Sequence, residues 1–171
     1  MTDSLPIIGI AMGSDSDLPT MQAAIEAVQE FGFPVEVRIL SAHRTPDEML
    51  EWARTADEHN IGVVIAGAGG AAHLPGMLAA ATPLPVIGVP VVAAAMATLG
   101  GVDALLSIVQ MPAGVPVAAV AIGNARNAGL LAVRMIGATN PAVRLAMKDF
   151  QTRMHDTVVE KDRLVQERFG T

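Results

Sequence analysis

The chain has 171 residues, of which 51% are hydrophobic and 3% aromatic, and it contains no cysteine. This length suits a single catalytic domain over residues 1–171 with an aliphatic core, and the lack of cysteine excludes disulfides, thiolate catalysis and zinc–thiolate sites. A formal charge of −6, from 17 acidic and 11 basic residues, argues against sequence-independent binding of nucleic acid.

Short apolar runs alternate with longer segments of helical periodicity along the chain. In chain order the sequence predicts strand Ile7–Met12, helix Leu18–Phe31, strand Val35–Leu40, helix Pro46 to about Glu58, strand Gly62–Gly67, helix Leu74–Ala81, strand Pro85–Val91, helix Asp103–Val109, strand Val117–Gly123, helix Arg126–Ile136, and helix Pro141 to about Arg168. Thr45 and Glu48 flank Pro46 in the spacing of a capping box, which predicts where the second helix begins.

This alternation indicates an α/β fold with three layers, in which helices cover both faces of a doubly wound parallel sheet. Five strands with right-handed crossovers favour the flavodoxin-like order 2-1-3-4-5. The long C-terminal helix, about 141–168, keeps an apolar stripe of Phe150, Met154, Val158 and Val165. A stripe that extends beyond the globular body predicts an oligomerisation arm onto a neighbouring subunit.

The stretch from Ile61 to Val102 has no Asp, Glu, Lys or Arg. A membrane helix needs about 20 continuous apolar residues, whereas prolines interrupt this stretch repeatedly, so we expect no membrane span. We expect instead elements that are buried on all sides, some of them by other subunits. The N-terminal residues show no basic leader and no cleavage site, which predicts a cytoplasmic protein.

Polar residues gather in three loops that follow the first three strands: "GSDSD" at 13–17, "SAHRT" at 41–45 and "GAGGAAH" at 67–73. In the order 2-1-3 these strands are neighbours, so their carboxyl ends form one rim, where ligands bind in such sheets. The sequence therefore predicts one pocket that is built from all three loops.

The first and third loops each allow a ligand or a purely structural interpretation. Ser14 and Ser16 offer hydroxyls and backbone N–H groups to a phosphate, and Asp17 either caps the helix or accepts hydrogen bonds from ribose. Gly69, Gly70 and Ala71 let the backbone approach a flat ligand closely, or form a tight turn that needs positive φ.

The second loop carries the groups most suited to catalysis. Arg44 presents a planar fork for phosphate or carboxylate, and its alternative is a surface ion pair. His43 is a candidate proton shuttle, and its adjacency to Ser41 and Arg44 favours this over a structural role. His73 is interpreted as support for the following helix slightly ahead of a chemical role, and a metal site with His43 lacks a third ligand at suitable spacing.

Four blocks of the sequence resemble one family. The blocks "MGSDSD", "SAHRTPDEM", "IAGAGGAAHLPGM" and "LLSIVQMPAGVPVAAVAIG" are similar, in the same order, to the class I catalytic subunit of 5-(carboxyamino)imidazole ribonucleotide mutase, an isomerase of purine biosynthesis. The resemblance covers about residues 7–136. It implies a flavodoxin-like homo-octamer that acts on a small-molecule nucleotide without cofactor, ATP or metal.

The resemblance also implies roles for particular residues. Ser14, Asp17 and Arg44 match substrate-binding positions of the family, and His43 matches its general acid/base. The favoured mechanism releases carbon dioxide from the exocyclic nitrogen and recaptures it on the neighbouring ring carbon. The remaining predicted substrate-binding residues are Ser16, Ser41, Gly69, Gly70, Ala71 and His73.

Two later segments depart from the family pattern. Serines that are common in the family are replaced around Val92 or Ala93 and at Ala104, and the segment around Asn124–Asn127 is about two residues shorter. Two other functions remain open at this point. One is a class II type carboxylase that uses the unmodified nucleotide and free carbon dioxide, and the other is a phosphate-ligand binding module in which His43 is structural.

Overall fold

A computed structural model describes residues 4–92 and 99–170 of the chain. The described residues form strands β1 Ile7–Met12, β2 Val35–Ile39, β3 Ile61–Gly69, β4 Val86–Val91 and β5 Ala118–Ala119. The helices are α1 Leu18–Gln29, α2 Pro46–Thr55, α3 Leu74–Ala81, α4 Val102–Val109, α5 Ala125–Gly137 and α6 Pro141–Phe169. A short 3-10 turn, Asp15–Asp17, leads into α1.

The strands form one parallel sheet in the order β2-β1-β3-β4-β5, which confirms the predicted topology. Ile10 of β1 stands in register with Val37 on one side and with Ile65 on the other. The strand order reverses between β1 and β3, so the carboxyl ends of β2, β1 and β3 form one continuous edge at the place where doubly wound sheets bind ligands.

Helices cover both faces of the sheet, as predicted for three layers. On one face, Met49 of α2, Leu78 of α3 and Ile108 of α4 join a buried cluster with the alternate strand residues Val64 and Ala66. On the other face, α1 lies so close to β3 that a Cβ on Gly67 would collide with the Met21 side chain. The core is largely aliphatic, as the composition predicts, with Trp52 of α2 as the aromatic member of the cluster on the first face.

The last strand is much shorter than predicted. Only Ala118–Ala119 pair with β4, so the strand prediction for Val117–Gly123 is wrong beyond these two residues. The Val120 amide donates to the Gly88 carbonyl at 3.2 Å, and the regular ladder ends there, because the next bond, from the Gly123 amide to the Pro90 carbonyl at 2.9 Å, comes three residues later instead of two. Pro90 is the next residue of β4 that faces β5, and it has no N–H to donate, so the ladder cannot be extended there.

Two predicted helices also end early, each at a backbone position that a helix does not allow. α1 ends at Gln29 instead of Phe31, before Gly32 with φ of 77°. α2 ends at Thr55 instead of about Glu58, before Asn60 with φ of 60°. Left-handed residues of this kind commonly follow a helix end.

The chain divides into two compact units, Met1–Ala132 and Val133–Thr171. The first contains the sheet. The second contains the end of α5 and all of α6. The first turn of α6 is capped by the Asn140 side chain, which accepts from the amides of Ala142 and Val143 at 3.0 and 3.2 Å. Val143, Met147 and Phe150 are buried, whereas residues 151–170 are all exposed. A single catalytic domain with an oligomerisation arm stays a prediction.

The described part of the chain contains no helix that is both long and apolar enough to span a bilayer.

The packing of α5 on α1 predicts a large cost for one small substitution. A Cβ at Gly129 would lie 2.8 Å from Cβ of Ala27 and 2.9 Å from the carbonyl oxygen of Ala24. Because backbone stands in the way, we expect Gly129→Ala to lower the free energy of unfolding by about 1–3 kcal/mol, despite alanine's higher helix propensity. Gly137→Ala is the matched control, since its nearest neighbour would be 3.4 Å away. Urea titration measures both, and equal stability would contradict the packing argument.

Candidate active site

A polar cleft of about 340 Å³ opens at the carboxyl ends of β2, β1 and β3. All the predicted site residues except Gly70 line this cleft: Ser14, Ser16, Asp17, Ser41, His43, Arg44, Gly69, Ala71 and His73. The structure thus brings the three loops together, as the strand order predicts. Gly13, Ala42, Ala68 and Leu74 also line it, and sequence reasoning did not name them. They could have been found from the sequence, because each is a direct neighbour of a predicted site residue.

The first loop is held by reciprocal hydrogen bonds between Ser14 and Asp17. Ser14 has an extended backbone and caps the 3-10 turn, and its amide donates to Oδ2 of Asp17 at 3.1 Å. Its hydroxyl accepts from the Ser16 amide at 3.3 Å. The Asp17 side chain caps no amide of α1, so the helix-capping role considered from the sequence is wrong; its buried carboxyl accepts from the Ser14 amide and closes the loop instead.

Arg44 ties the second loop to the first. Its Nη2 donates to the Gly13 carbonyl at 2.8 Å, and its Nε donates to the Ser41 hydroxyl at 3.1 Å. The Ser41 hydroxyl also accepts from the Arg44 amide at 3.2 Å. The guanidinium is thereby fixed at the cleft wall, and no ion pair of Arg44 is found among the described residues. The surface ion pair considered from the sequence is not what holds this side chain.

The predicted capping box at α2 is wrong. Thr45 precedes α2 but its side chain caps no helix amide. Its hydroxyl instead accepts from the Ser41 amide at 2.9 Å and donates to the Ser41 carbonyl at 3.3 Å. The side chain is thus used to close the loop that presents His43 and Arg44, because a hydroxyl can bond backbone on either side of it.

The third loop needs glycine for its shape. Gly70 has φ of 61°, a left-handed conformation that disfavours other residues, and it is buried. The tight-turn interpretation therefore holds for Gly70, whereas Gly69 and Ala71 face the cleft. The Gly70 carbonyl accepts from the Ala72 amide at 2.9 Å, and the Ser107 hydroxyl of α4 lies 3.5 Å from it.

The two histidines of the cleft contact each other. Nε2 of His43 lies 2.8 Å from Nδ1 of His73, and the rings are nearly perpendicular with centroids 4.9 Å apart. His73 is the residue before α3, but its side chain caps no amide of that helix. The His73 ring therefore does not cap α3, as one interpretation of the sequence suggested; it contacts His43 instead. His59 and His155 are exposed, and neither is among the residues that line the cleft.

Burial raises the pKa of Asp17 above its ordinary value, although the amide of Ser14 and the charge of Arg44 oppose this shift. A raised pKa in the folded state means that the folded protein binds this proton more tightly than the unfolded chain. Its contribution to stability is then fully present below the unfolded pKa and is lost as the pH rises through the folded pKa. At neutral pH the ionised Asp17 carboxylate therefore lowers the stability of the folded protein.

We therefore expect Asp17→Asn to raise the melting temperature at pH 7, with the gain shrinking as the pH falls toward 4. Asparagine keeps an oxygen for the Ser14 amide but has no charge to desolvate. Thermal unfolding between pH 4 and 8 measures this, with Asp57→Asn as the control because Asp57 is exposed and outside the cleft. A gain that does not change with pH would contradict the assignment to Asp17 ionisation.

Within residues 4–92 and 99–170, no group of three or more His, Asp or Glu side chains is placed to hold a metal ion. Among the described residues, those that depart from the family pattern do not line the cleft. Ala104 is fully buried on α4, and Val92 is exposed after β4. Asn124 lies in a turn, where its side chain accepts from the Asn127 amide at 3.2 Å. Ala93 lies outside the described residues.

The fold and the cleft define a doubly wound α/β protein with a histidine pair and an arginine at the point where strand order reverses. A family model described as AIR carboxylase matches residues 7–157, which is most of the chain. The chain belongs to the AIR carboxylase family.

Curated relatives agree with this assignment. An N5-carboxyaminoimidazole ribonucleotide mutase from Mycobacterium tuberculosis is 61% identical over 165 residues, which cover 96% of this chain and 93% of that protein. A protein of the same name from Thermotoga maritima is 57% identical over 157 residues, covering 92% and 90%. Phosphoribosylaminoimidazole carboxylase from Schizosaccharomyces pombe is 58% identical over 156 residues, which are 91% of this chain but 28% of that protein.

Solved structures support the fold. The crystal structure of Treponema denticola PurE has a TM-score of 0.82 and 23% identity, and the match covers 94% of this chain and 99% of that chain. A crystal structure of a PurE2 variant from the same organism has a TM-score of 0.85, also at 23% identity.

Proposed function

We propose that this chain is an N5-carboxyaminoimidazole ribonucleotide mutase of purine biosynthesis. It moves a carboxylate from the exocyclic nitrogen of the substrate to the adjacent ring carbon, giving 4-carboxy-5-aminoimidazole ribonucleotide, and is therefore an isomerase. The observation that carries the proposal is the placement of the His43 imidazole in one cleft with Ser14, Arg44 and Gly69. Relatives that bear the mutase name and match nearly the whole chain support it.

The phosphate of the nucleotide binds at the Ser14, Ser16 and Arg44 side of the cleft. Arg44 uses Nε and Nη2 to fix its own position, and a guanidinium has five N–H donors in a planar fork. The donors that remain can therefore grip phosphate without moving the side chain. Anchoring at the phosphate holds the ring in place for the reaction, so that remote binding energy positions the reacting atoms. Asp17 accepts hydrogen bonds from the ribose hydroxyls, and Ser41 completes the binding of the phosphate.

His43 carries the proton between the two halves of the reaction. In the first step the bond from the exocyclic nitrogen to the carboxylate carbon breaks, carbon dioxide is released, and His43 gives the nitrogen a proton. In the second step the ring carbon bonds carbon dioxide and gives its hydrogen to His43 as a proton. The proton that His43 gives up in the first step is replaced in the second, so the proposal requires no cofactor and no metal.

His73 links to this proton transfer through the short contact between the two rings. One of the two nitrogens must carry the hydrogen and the other must accept it, so the tautomers of the two rings are coupled. Among the described residues, Nδ1 of His43 has no protein partner and is the nitrogen available to the substrate. We assign His73 as the residue that sets the tautomer and orientation of His43.

The third loop holds the migrating group. The backbone of Gly69–Ala71 offers N–H groups to the carboxylate, and a glycine at Gly69 lets the flat ring approach closely. Enclosing the cleft around the substrate keeps carbon dioxide beside the ring until it is recaptured. Ser107, which reaches the Gly70 carbonyl, supports this loop from α4.

A carboxylase that uses the unmodified nucleotide and free carbon dioxide is the second candidate, since relatives of that name match this chain over 28% of their own length. The purified chain alone, given each starting nucleotide with and without bicarbonate, separates the two. We expect conversion of the carboxyamino nucleotide without bicarbonate and negligible carboxylation of the unmodified nucleotide at low bicarbonate. Efficient turnover of the unmodified nucleotide with bicarbonate would favour the carboxylase.

We further propose that the protein is a cytoplasmic homo-octamer. Val102, Leu106 and Val109 on the outer face of α4, and Leu99 before it, are each about half exposed, and α6 leaves a second apolar stripe. Contiguous apolar surface of this kind is typical of subunit contacts. A closed assembly of eight subunits requires more than one type of interface, and these two surfaces are candidates for them.

A further inference from the structure

The loop proposed to bind phosphate already holds an anion of its own. Oδ1 of Asp15 accepts from the Ser14 hydroxyl at 3.0 Å and from the Ser16 amide at 3.1 Å. These two donors belong to residues that line the cleft. A carboxylate oxygen therefore occupies the donors that a phosphate oxygen would use.

The Ser14 hydroxyl cannot serve both anions at once. A hydroxyl has one hydrogen to donate, and in this structure that hydrogen points to Asp15. The oxygen of the same hydroxyl accepts from the Ser16 amide at 3.3 Å, which is longer than the bond from that amide to Asp15. A phosphate that binds through Ser14 and Ser16 must first displace the carboxylate of Asp15.

We infer that Asp15 is an affinity-determining residue, an internal anion that competes with the phosphate of the substrate for the Ser14 and Ser16 donors. The inference rests on the proposed function, because it needs the first loop to be the phosphate site. It identifies a residue that lowers the affinity for phosphate, whereas Ser14, Ser16 and Arg44 raise it.

Asp15 is free to leave its position. It is exposed and forms no salt bridge within the described residues. It borders a second cleft of about 410 Å³, with Ile39 and Thr45, which shares Gly13, Ser14, Ser41 and Arg44 with the first cleft. Rotation of the carboxylate toward this space breaks two hydrogen bonds, one from the Ser14 hydroxyl and one from the Ser16 amide.

The charges near the first loop also make Asp15 unfavourable for phosphate binding. Arg44 is the cation of the cleft lining, and Asp15 and Asp17 are the nearby carboxylates. A doubly charged phosphate that enters beside two carboxylates is repelled by them, and release of Asp15 toward solvent relieves part of this repulsion. A neutral side chain at position 15 removes both the repulsion and the competition for donors.

Binding of inorganic phosphate, measured by isothermal titration calorimetry on the full chain, tests the inference. We expect Asp15→Asn and Asp15→Ala to bind phosphate roughly tenfold more tightly than the natural sequence, since hydrogen bonds to charged groups are worth more than neutral ones. Asp57→Asn is the control for loss of one negative charge and should bind as the natural sequence does. Arg44→Ala should bind at least tenfold more weakly.

Each failure has its own meaning. If Arg44→Ala loses phosphate binding but neither Asp15 variant gains any, the inference is wrong and the proposed function stands. Weaker binding by both Asp15 variants would likewise overturn it, because Asp15 would then be a brace that shapes the loop. If phosphate binding is indifferent to Arg44, the phosphate site of the proposed function is wrong and the role of Asp15 falls with it.

Discussion

We expect His43→Asn to lower turnover by about 10²- to 10⁴-fold while substrate and product still bind. This range is the usual contribution of a positioned acid/base group, and asparagine cannot exchange a proton at neutral pH. Asparagine is close to the size of imidazole and can still bond His73, so the cleft should keep its shape. Steady-state kinetics gives the turnover number, and calorimetry with 4-carboxy-5-aminoimidazole ribonucleotide gives the affinity.

The controls separate chemistry from folding and binding. His59→Asn removes an imidazole that is exposed and outside the cleft, and should leave turnover unchanged. A merely structural His43 would give His43→Asn with near-normal turnover, as a phosphate-binding module predicts. Loss of affinity with an unchanged turnover number would place His43 in binding instead of proton transfer.

The pairing with His73 gives a second readout for the same site. If His73 sets the tautomer of His43, His73→Asn should lower turnover less than His43→Asn and should move the pH dependence of turnover, because it alters the partner of Nε2. A helix brace would instead change the stability of α3 and leave the pH dependence unchanged.

The sheet order and the cleft were readable from the sequence because both follow from local patterns. Alternating strands and helices specify parallel pairing, and the order 2-1-3 then places the loops after the predicted strand ends Met12, Leu40 and Gly67 at one edge. His43 and Arg44 could be assigned to the cleft because they directly follow a strand in that group. No knowledge of side-chain packing was needed.

Other features depend on contacts that a single sequence does not display. The bond between His43 and His73 joins residues 30 positions apart, and depends on how two loops bend toward each other. Thr45 has capping spacing but meets Ser41 first, because the loop curls back on itself. The early end of the last strand follows from Pro90 on the neighbouring strand, so it could not be read from Val117–Gly123 alone.

The two anionic residues of the first loop illustrate the same limit. Asp17 could be singled out from the sequence because an acidic residue directly before a predicted helix is a recognisable pattern, whereas its burial, its raised pKa and its bond to the Ser14 amide could not be foreseen. Asp15 has no such pattern. Its contact with the phosphate donors arises from the turn that the loop adopts, and only coordinates show which of two neighbouring carboxylates the donors meet.

The second large effect is expected at the C-terminal helix, where removal of residues 152–171 should convert the proposed octamer into smaller species that remain folded. The cut spares the buried Val143, Met147 and Phe150 and removes a segment whose described residues are all exposed. Met154 is 46% exposed, Val158 65% and Val165 55%. These side chains lie on one helical face with Phe150. Most of the stability of such a helix comes from packing of its apolar face, so we expect another surface to cover it.

Point variants make the test sharper than the deletion. Met154→Asp with Val158→Asp places two charges within the stripe, and light scattering coupled to gel filtration should report a lower mass. Thr152→Asp is the control, since Thr152 is exposed on the opposite face of the same helix. An unchanged mass for the double variant and for the deletion would show that α6 is not an arm, and α4 would then be the apolar surface that remains to build the assembly. If Thr152→Asp also lowers the mass, the added negative charge causes the dissociation and not the change in the apolar face, because only the stripe variants alter that face.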